Sequence, residues 1–181
     1  FFSSLVKEVY QHTKNKFWLR EMAATIASEL HDYWENENHL VRGLSRYCDH
    51  EINHISAEHE SGWDSTSRFH DHALHVIPVD LNCMLYVYEQ DLSWMHRELG
   101  EEDKASEYEQ KAAQRKRLVN KYCWNEEQGF FFDYNTFHNW QNNFLSLAGY
   151  YPLWSGLASA EQARRCCEHL PSFEREGGLA N

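Results

Sequence analysis

At 181 residues, with 42% hydrophobic and 15% aromatic side chains, the chain is long enough for one domain with a sizeable core. Its formal net charge of -11 argues against nucleic acid or an anionic membrane as the main partner, and no apolar run approaches the roughly 20 residues that span a bilayer. The five cysteines, Cys48, Cys83, Cys123, Cys166 and Cys167, are odd in number and irregularly spaced, which excludes a disulfide framework or a paired-cysteine zinc site and leaves reduced, mostly buried thiols and a cytoplasmic setting as the expectation.

Helical periodicity opens the chain. Leu5, Val6, Val9 and Tyr10 mark a short amphipathic helix, and Phe17, Leu19, Met22, Ala23, Ile26, Leu30, Tyr33 and Trp34 a longer one. The short Thr13-Lys14-Asn15 connection predicts an antiparallel helical hairpin. From about 35 to 79 the periodicity fades, Gly43, Gly62 and Pro78 punctuate the chain, and histidine content rises. This predicts a long irregular stretch with at most a turn or two of helix, and such stretches in compact domains usually carry function.

Helix is predicted again from Asp80, placed to cap it, along the stripe Leu81, Met84, Leu85, Tyr88, Leu92 and Met95, as far as Gly100. Glu101-Glu102-Asp103 start a second helix through Lys121, acidic first and basic later as the helix dipole favours. Its expected inner face is Ala105, Tyr108, Ala112, Arg115, Leu118 and Val119. A turn at 124–129 leads into the run 130–134, whose three phenylalanines have the β-propensity of a short strand. A helix around 143–157, kinked by Pro152, and another opened by a Ser159–Gln162 capping box and stopped by Pro171 complete the reading. The fold class expected is all-α with a short extended piece near 130–134.

Three constellations could carry chemistry. His50-Glu51-Ile52-Asn53-His54 matches H-E-x-x-H, which on a helix would present both histidines to zinc with Glu51 as base. Its context is poor in the apolar positions that hold such a helix on a core, and Ala57 and Glu60 stand where the extended motif has Gly and a third His. A solvated or site-lining histidine cluster is the plainer reading, for this motif and for His70, His72 and His75 alike. The third constellation is Glu60-Ser-Gly62-Trp63-Asp64-Ser-Thr-Ser-Arg68, followed by Asp80 and Asn82. An indole beside carboxylates and an amide suits gripping a sugar ring and protonating its glycosidic oxygen. The plain alternative is that Trp63 packs in the core and Asp64 caps a turn.

At these residues the chain resembles the trehalases of glycoside hydrolase family 37. That family carries a Ser-Gly-Trp-Asp-x-Ser-Ser-Arg motif shortly before Pro-[Val/Ile]-Asp-Leu-Asn. Here they read Ser61-Gly-Trp-Asp-Ser-Thr-Ser-Arg68 and Pro78-Val-Asp-Leu-Asn82. The likeness continues in 17–20, 43–47, 112–117, 124–129, Asp133-Tyr134, Pro152-Leu153 and Gly177-Gly178. It implies an (α/α)6 toroid that binds sugar at one mouth. Residues 1–181 would be the central part of one catalytic domain, completed by further parts of the same barrel at both ends.

The resemblance further implies an inverting α-glycosidase with Asp64 as general acid, and Trp63, Glu60, Gly62 and Arg68 as substrate contacts. No cofactor or metal is implied. The family's catalytic base lies beyond the Gly-Gly pair, outside these residues, so the 181 residues alone are expected to be inactive. The chain departs from the family in lacking an Arg-Pro-Glu-Ser-Tyr stretch upstream of the acid. The substrate is therefore trehalose or another short α-glycoside, such as the glucosylglycerate, mannosylglycerate or oligosaccharide handled by the related family 63. The zinc reading through His50 and His54, and a non-catalytic sugar-binding helical fragment, are the alternatives.

Overall fold

The computed structural model describes residues 1–63 and 66–180. Helix α1 (Phe2–Thr13) and helix α2 (Lys16–Ser28) form the expected hairpin. Lys14 ends α1 in the left-handed region at φ 52°, and Asn15 starts α2 by accepting the Trp18 N–H at 3.1 Å. The predicted continuation to Trp34 is present as a wider π-helical turn, Glu29–Trp34. Such turns are rare and concentrate near functional sites. Here the turn ends where Tyr33 reaches Glu60.

Helix α4 (Val79–Leu99) is the spine. It packs on α1, α2 and helix α5 (Glu102–Cys123), and apolar side chains cluster on both sides of it. Gly100 closes it in the left-handed conformation at φ 80°. Asp80 does not cap it as predicted: Pro78 holds the cap position, and the Asp80 carboxylate turns to Arg68 and Trp63. On α5 the predicted inner face is buried except for Leu118, which is half-buried.

Between these pairs lie the long loops. The first contains the hairpin β1 (Leu40–Val41) and β2 (Leu44–Ser45) and helix α3 (His54–Ser61), followed by 3-10 turns at Ser67–Phe69 and Ala73–His75 and strand β3 (Val76–Ile77). Asn53 caps α3 by accepting the Ser56 N–H at 2.9 Å. That start overturns the zinc geometry. His54 is the first residue of the helix, Ile52 has φ 46°, and His50 lies in the turn before it. The two histidines therefore do not share a helical face.

After α5 the chain forms short antiparallel strands: β4 (Trp124–Asn125) with β5 (Phe130–Phe131), and β6 (Tyr134–Asn135) with both β3 and β7 (Trp140–Gln141). The helix expected around 143–157 is reduced to a 3-10 turn, Leu147–Tyr150, and one α-turn, α6 (Tyr151–Trp154). Gly149 explains the close packing there, since a Cβ on it would lie 2.3 Å from the Phe130 ring. Helix α7 (Ala160–Cys167) carries the predicted capping box, and β8 (Glu174–Arg175) pairs with β9 (Gly178–Leu179). The cysteines are free, four buried and Cys167 exposed. No helix among the described residues is long and apolar enough to cross a membrane.

Candidate active site

The two motifs that are separated in sequence meet at the N-terminus of α4. Trp63 Nε1 donates to Asp80 Oδ2 at 2.8 Å. Arg68, with no exposed surface, donates to both oxygens of Asp80 at 3.0 and 2.7 Å, and to both oxygens of Asp133 at 2.6 and 2.7 Å. The Arg68 guanidinium also lies 5.0 Å from the Trp63 ring and 4.9 Å from the Phe69 ring, a stacking position for a planar cation.

One guanidinium between two carboxylates leaves one negative charge over. It sits where α4 offers unpaired N–H groups and the positive end of its dipole. Asp133 accepts the Val79 N–H at 2.9 Å. Burial alone would raise the Asp80 carboxyl, but the Arg68 charge and hydrogen bonds, the Trp63 indole and the Leu81 N–H hold its pKa below the ordinary carboxylate value. Burial opposes the charge on Arg68 as well, and the two aspartates override it and hold its pKa well above the usual value.

Glu60 is a second anchor. It accepts from the Tyr33 hydroxyl, from His39 Nε2 at 3.2 Å and from the Cys48 N–H at 2.6 Å. Burial would raise its carboxyl, yet His39, Tyr33 and the Cys48 N–H together lower it. Three segments, the π-turn, the β1–β2 hairpin and the end of α3, thus converge on one carboxylate. Gly62 ends α3 at φ 70°, a conformation that suits glycine. The loop is closed from its other end by Glu58, whose Oε1 accepts the Thr66 N–H at 3.0 Å.

Of the residues singled out in sequence, Trp63, Arg68 and Asp80 are brought together, whereas Glu60 bonds Tyr33, His39 and Cys48, and Gly62 ends α3. Asp64, the expected acid, lies outside the described residues. Asn82 faces away from this cluster: its amide holds the Ser45 N–H and C=O at 2.9 and 2.8 Å and accepts from Arg115 at 3.0 Å, which pins β2 to α4. Sequence reasoning missed Asp133 and Asn142 as parts of the site. Asn142 donates to the Arg68 carbonyl, and its N–H donates to the Asp133 carbonyl at 2.7 Å. A signal was present for Asp133: a carboxylate directly after three consecutive phenylalanines has little choice but burial with a cation.

The histidines form a clasp on the same loop. His54 at the start of α3 has ring centroids 4.9 Å from His75 and 5.5 Å from His72, and its Nδ1 accepts the Leu74 N–H at 3.3 Å. Burial depresses the pKa of His54, helped by His72 and opposed by Asp71. Burial likewise depresses His75, together with His54, His72, Arg46 and His138. A histidine with a depressed folded pKa binds its proton more readily when unfolded, so stability falls as pH drops below the unfolded value, about 6.5. The expected result is that the Leu74 amide exchanges with solvent faster, after correction for intrinsic rates, at pH 5 than at pH 7.5. His54→Gln should flatten that dependence, and equal protection at both pH values would contradict it.

Comparison with known proteins follows the same residues. Residues 53–181 match the family profile described as Trehalase. A probable trehalase of Saccharomyces cerevisiae is 39% identical over 137 residues, covering 70% of this chain and 18% of that protein. A cytosolic neutral trehalase of Kluyveromyces lactis is 36% identical over 136 residues, with the same coverage of each. The chain therefore spans about a fifth of the length of these relatives. Among solved structures, a neutral trehalase of Saccharomyces cerevisiae superposes with a TM-score of 0.90 and 25% identity, over 99% of this chain and 45% of that one. A family 63 mannosylglycerate hydrolase of Thermus thermophilus gives 0.70 at 15% identity, over 94% and 53% of the two chains. The helical pairs and long loops are part of an (α/α)6 toroid.

Proposed function

The chain belongs to the trehalase family, and on that premise we propose that it is the central part of an inverting glycosidase that hydrolyses trehalose with Asp64 as general acid. Residues beyond this chain would supply the base and complete the barrel. The observation that carries the reading is the contact between the two family-like motifs, the Trp63 indole on the Asp80 carboxylate, directly before Asp64 in sequence. An indole so held keeps its orientation, which fixes the residue that directly precedes the proposed acid in sequence.

In this reading Arg68 is a positioning residue. It makes four hydrogen bonds to Asp80 and Asp133 and has no exposed surface, so it acts on sugar through Trp63 and the loop. Glu60, tied to three partners, sets where the loop leaves α3, and Gly62 allows the turn. Asp64 would protonate the bridging oxygen while the base activates water on the opposite face, the two carboxyls standing about 6.5–9.5 Å apart. The acid needs a raised pKa to hold its proton near neutrality.

The full-length protein should release glucose from trehalose, and the anomers report the route. Inversion gives equal amounts of α- and β-glucose in the first moments, because one ring is attacked and the other leaves unchanged. Proton NMR during the first turnovers would read this ratio. Release of α-glucose alone would mean retention, and no release would remove trehalose as substrate.

A further inference from the structure

A cleft of about 390 Å³ opens between the segment that follows Arg68 and the β6–β7 hairpin. Trp140 lines it and is 62% exposed. His70, His72, His138 and Asn143 line it as well, and no Asp, Glu, Lys or Arg does so among the described residues. We propose that this cleft is a sugar-binding subsite, in which a pyranose ring lies on Trp140 and the imidazoles and the Asn143 amide bond its hydroxyls.

The chemistry favours a neutral polyhydroxylated ligand. A wall without Asp, Glu, Lys or Arg, in a chain of net charge -11, offers no carboxylate to a cation and no ammonium or guanidinium to an anion. A pyranose has an apolar C–H face that an exposed indole can cover, and a rim of hydroxyls that both donate and accept. The ring nitrogens of an imidazole and the oxygen and nitrogen of a primary amide supply donors and acceptors, so they can meet a hydroxyl in either role. The volume lies at the lower end of the usual range for small-molecule sites, which suits one or two rings.

The scaffold under the cleft is rigid. Gln141 bonds the Tyr122 and Trp124 carbonyls at 3.0 and 2.8 Å, and its Oε1 accepts from Asn125 at 2.8 Å. Asn135 accepts the Phe137 and His138 N–H groups at 3.0 and 2.9 Å and so shapes the hairpin tip. The Asn142 side chain joins this wall to the Arg68 carbonyl. The cleft therefore abuts the loop that bears Trp63 and Arg68, and its occupant could be a second ring of the same substrate. Only the choice of sugar rests on the glycosidase reading.

The test uses the full-length protein labelled with 5-fluorotryptophan, the Trp140 resonance being assigned by its loss in Trp140→Phe. Titration with D-glucose and with trehalose should shift that resonance saturably. Trp140→Ala should raise KM for trehalose about tenfold with kcat within about twofold, and Trp140→Phe should recover most of the loss. A Trp140 signal indifferent to both sugars, or a Trp140→Ala protein with unchanged KM and a lowered melting temperature, would overturn the subsite and make Trp140 a packing residue. Sugar-dependent shifts in a wild-type protein that releases no glucose would instead sink the hydrolase reading and keep the subsite.

Discussion

Asp64→Asn in the full-length protein is expected to lower the turnover of trehalose by about 10²–10⁴-fold, the range that a positioned general acid contributes. The change keeps the size and one hydrogen-bonding oxygen of the side chain and removes the proton that the leaving oxygen requires. Folding should be retained, since Glu60 on three partners and Arg68 on two carboxylates anchor the loop on either side. A substrate that needs no protonation separates the acid role from a binding role. With α-glucosyl fluoride as substrate, the same variant should lose less than about tenfold. Near-normal turnover of trehalose would remove Asp64 from the acid position. A loss equal on both substrates would make it a binding or positioning group.

The helices were legible because their signals are local. Periodicity, the Lys14-Asn15 connection, Gly100 and the Ser159–Gln162 capping box each act within a few residues, and each recurs in the structure at its expected place. The segment around 143–157 failed for an equally physical reason. Its apolar residues have helical spacing, but Gly149 is needed for close approach to Phe130, and only short turns fit between that contact and Pro152. Asp80 shows tertiary structure overriding a local preference. It has a capping residue's chemistry near a helix start, yet a buried arginine and an indole compete for the same oxygens and win.

The site was half legible. Motif spacing brought Trp63, Asp64, Arg68 and Asp80 to attention, but gave no direction for any side chain. Arg68 reads in sequence as a substrate contact and is enclosed in the structure. The H-E-x-x-H string shows the converse failure. It matches five residues of sequence, but its chemistry requires a helix, and the helix begins at the fifth. The burial of Asp133 could be read from the three phenylalanines before it. Its partner Arg68 and the role of Asn142 were out of reach, because they depend on the pairing of β6 with β3, which spans more than fifty residues of sequence.

Arg68→Met should cause the largest loss of stability of any single change at this site. Methionine fills much of the volume but leaves Asp80 and Asp133, at 1% and 5% exposure, as two buried carboxylates without their cation. Removing one partner of such a buried pair costs about 3–5 kcal/mol, a large part of a typical domain's stability. The pH dependence distinguishes this cause from lost packing. In the wild type, the depressed pKa of Asp80 contributes stability that is present above the unfolded carboxylate value and lost as pH falls through the folded one. In the variant the same two carboxyls should have raised pKa values, since burial and mutual repulsion act without the guanidinium. Their folded forms then bind protons more readily than the unfolded chain, so the deficit relative to wild type should shrink between pH 7.5 and pH 5. Taking the difference between variant and wild type at each pH cancels the opposite trend of the histidine clasp. Arg68→Met combined with Asp133→Asn removes one of the stranded charges and should recover part of the loss at pH 7.5. A melting-temperature deficit that is the same at both pH values, and unrelieved by Asp133→Asn, would mean that Arg68 holds the loop by packing on Trp63 and Phe69 and not by its charge.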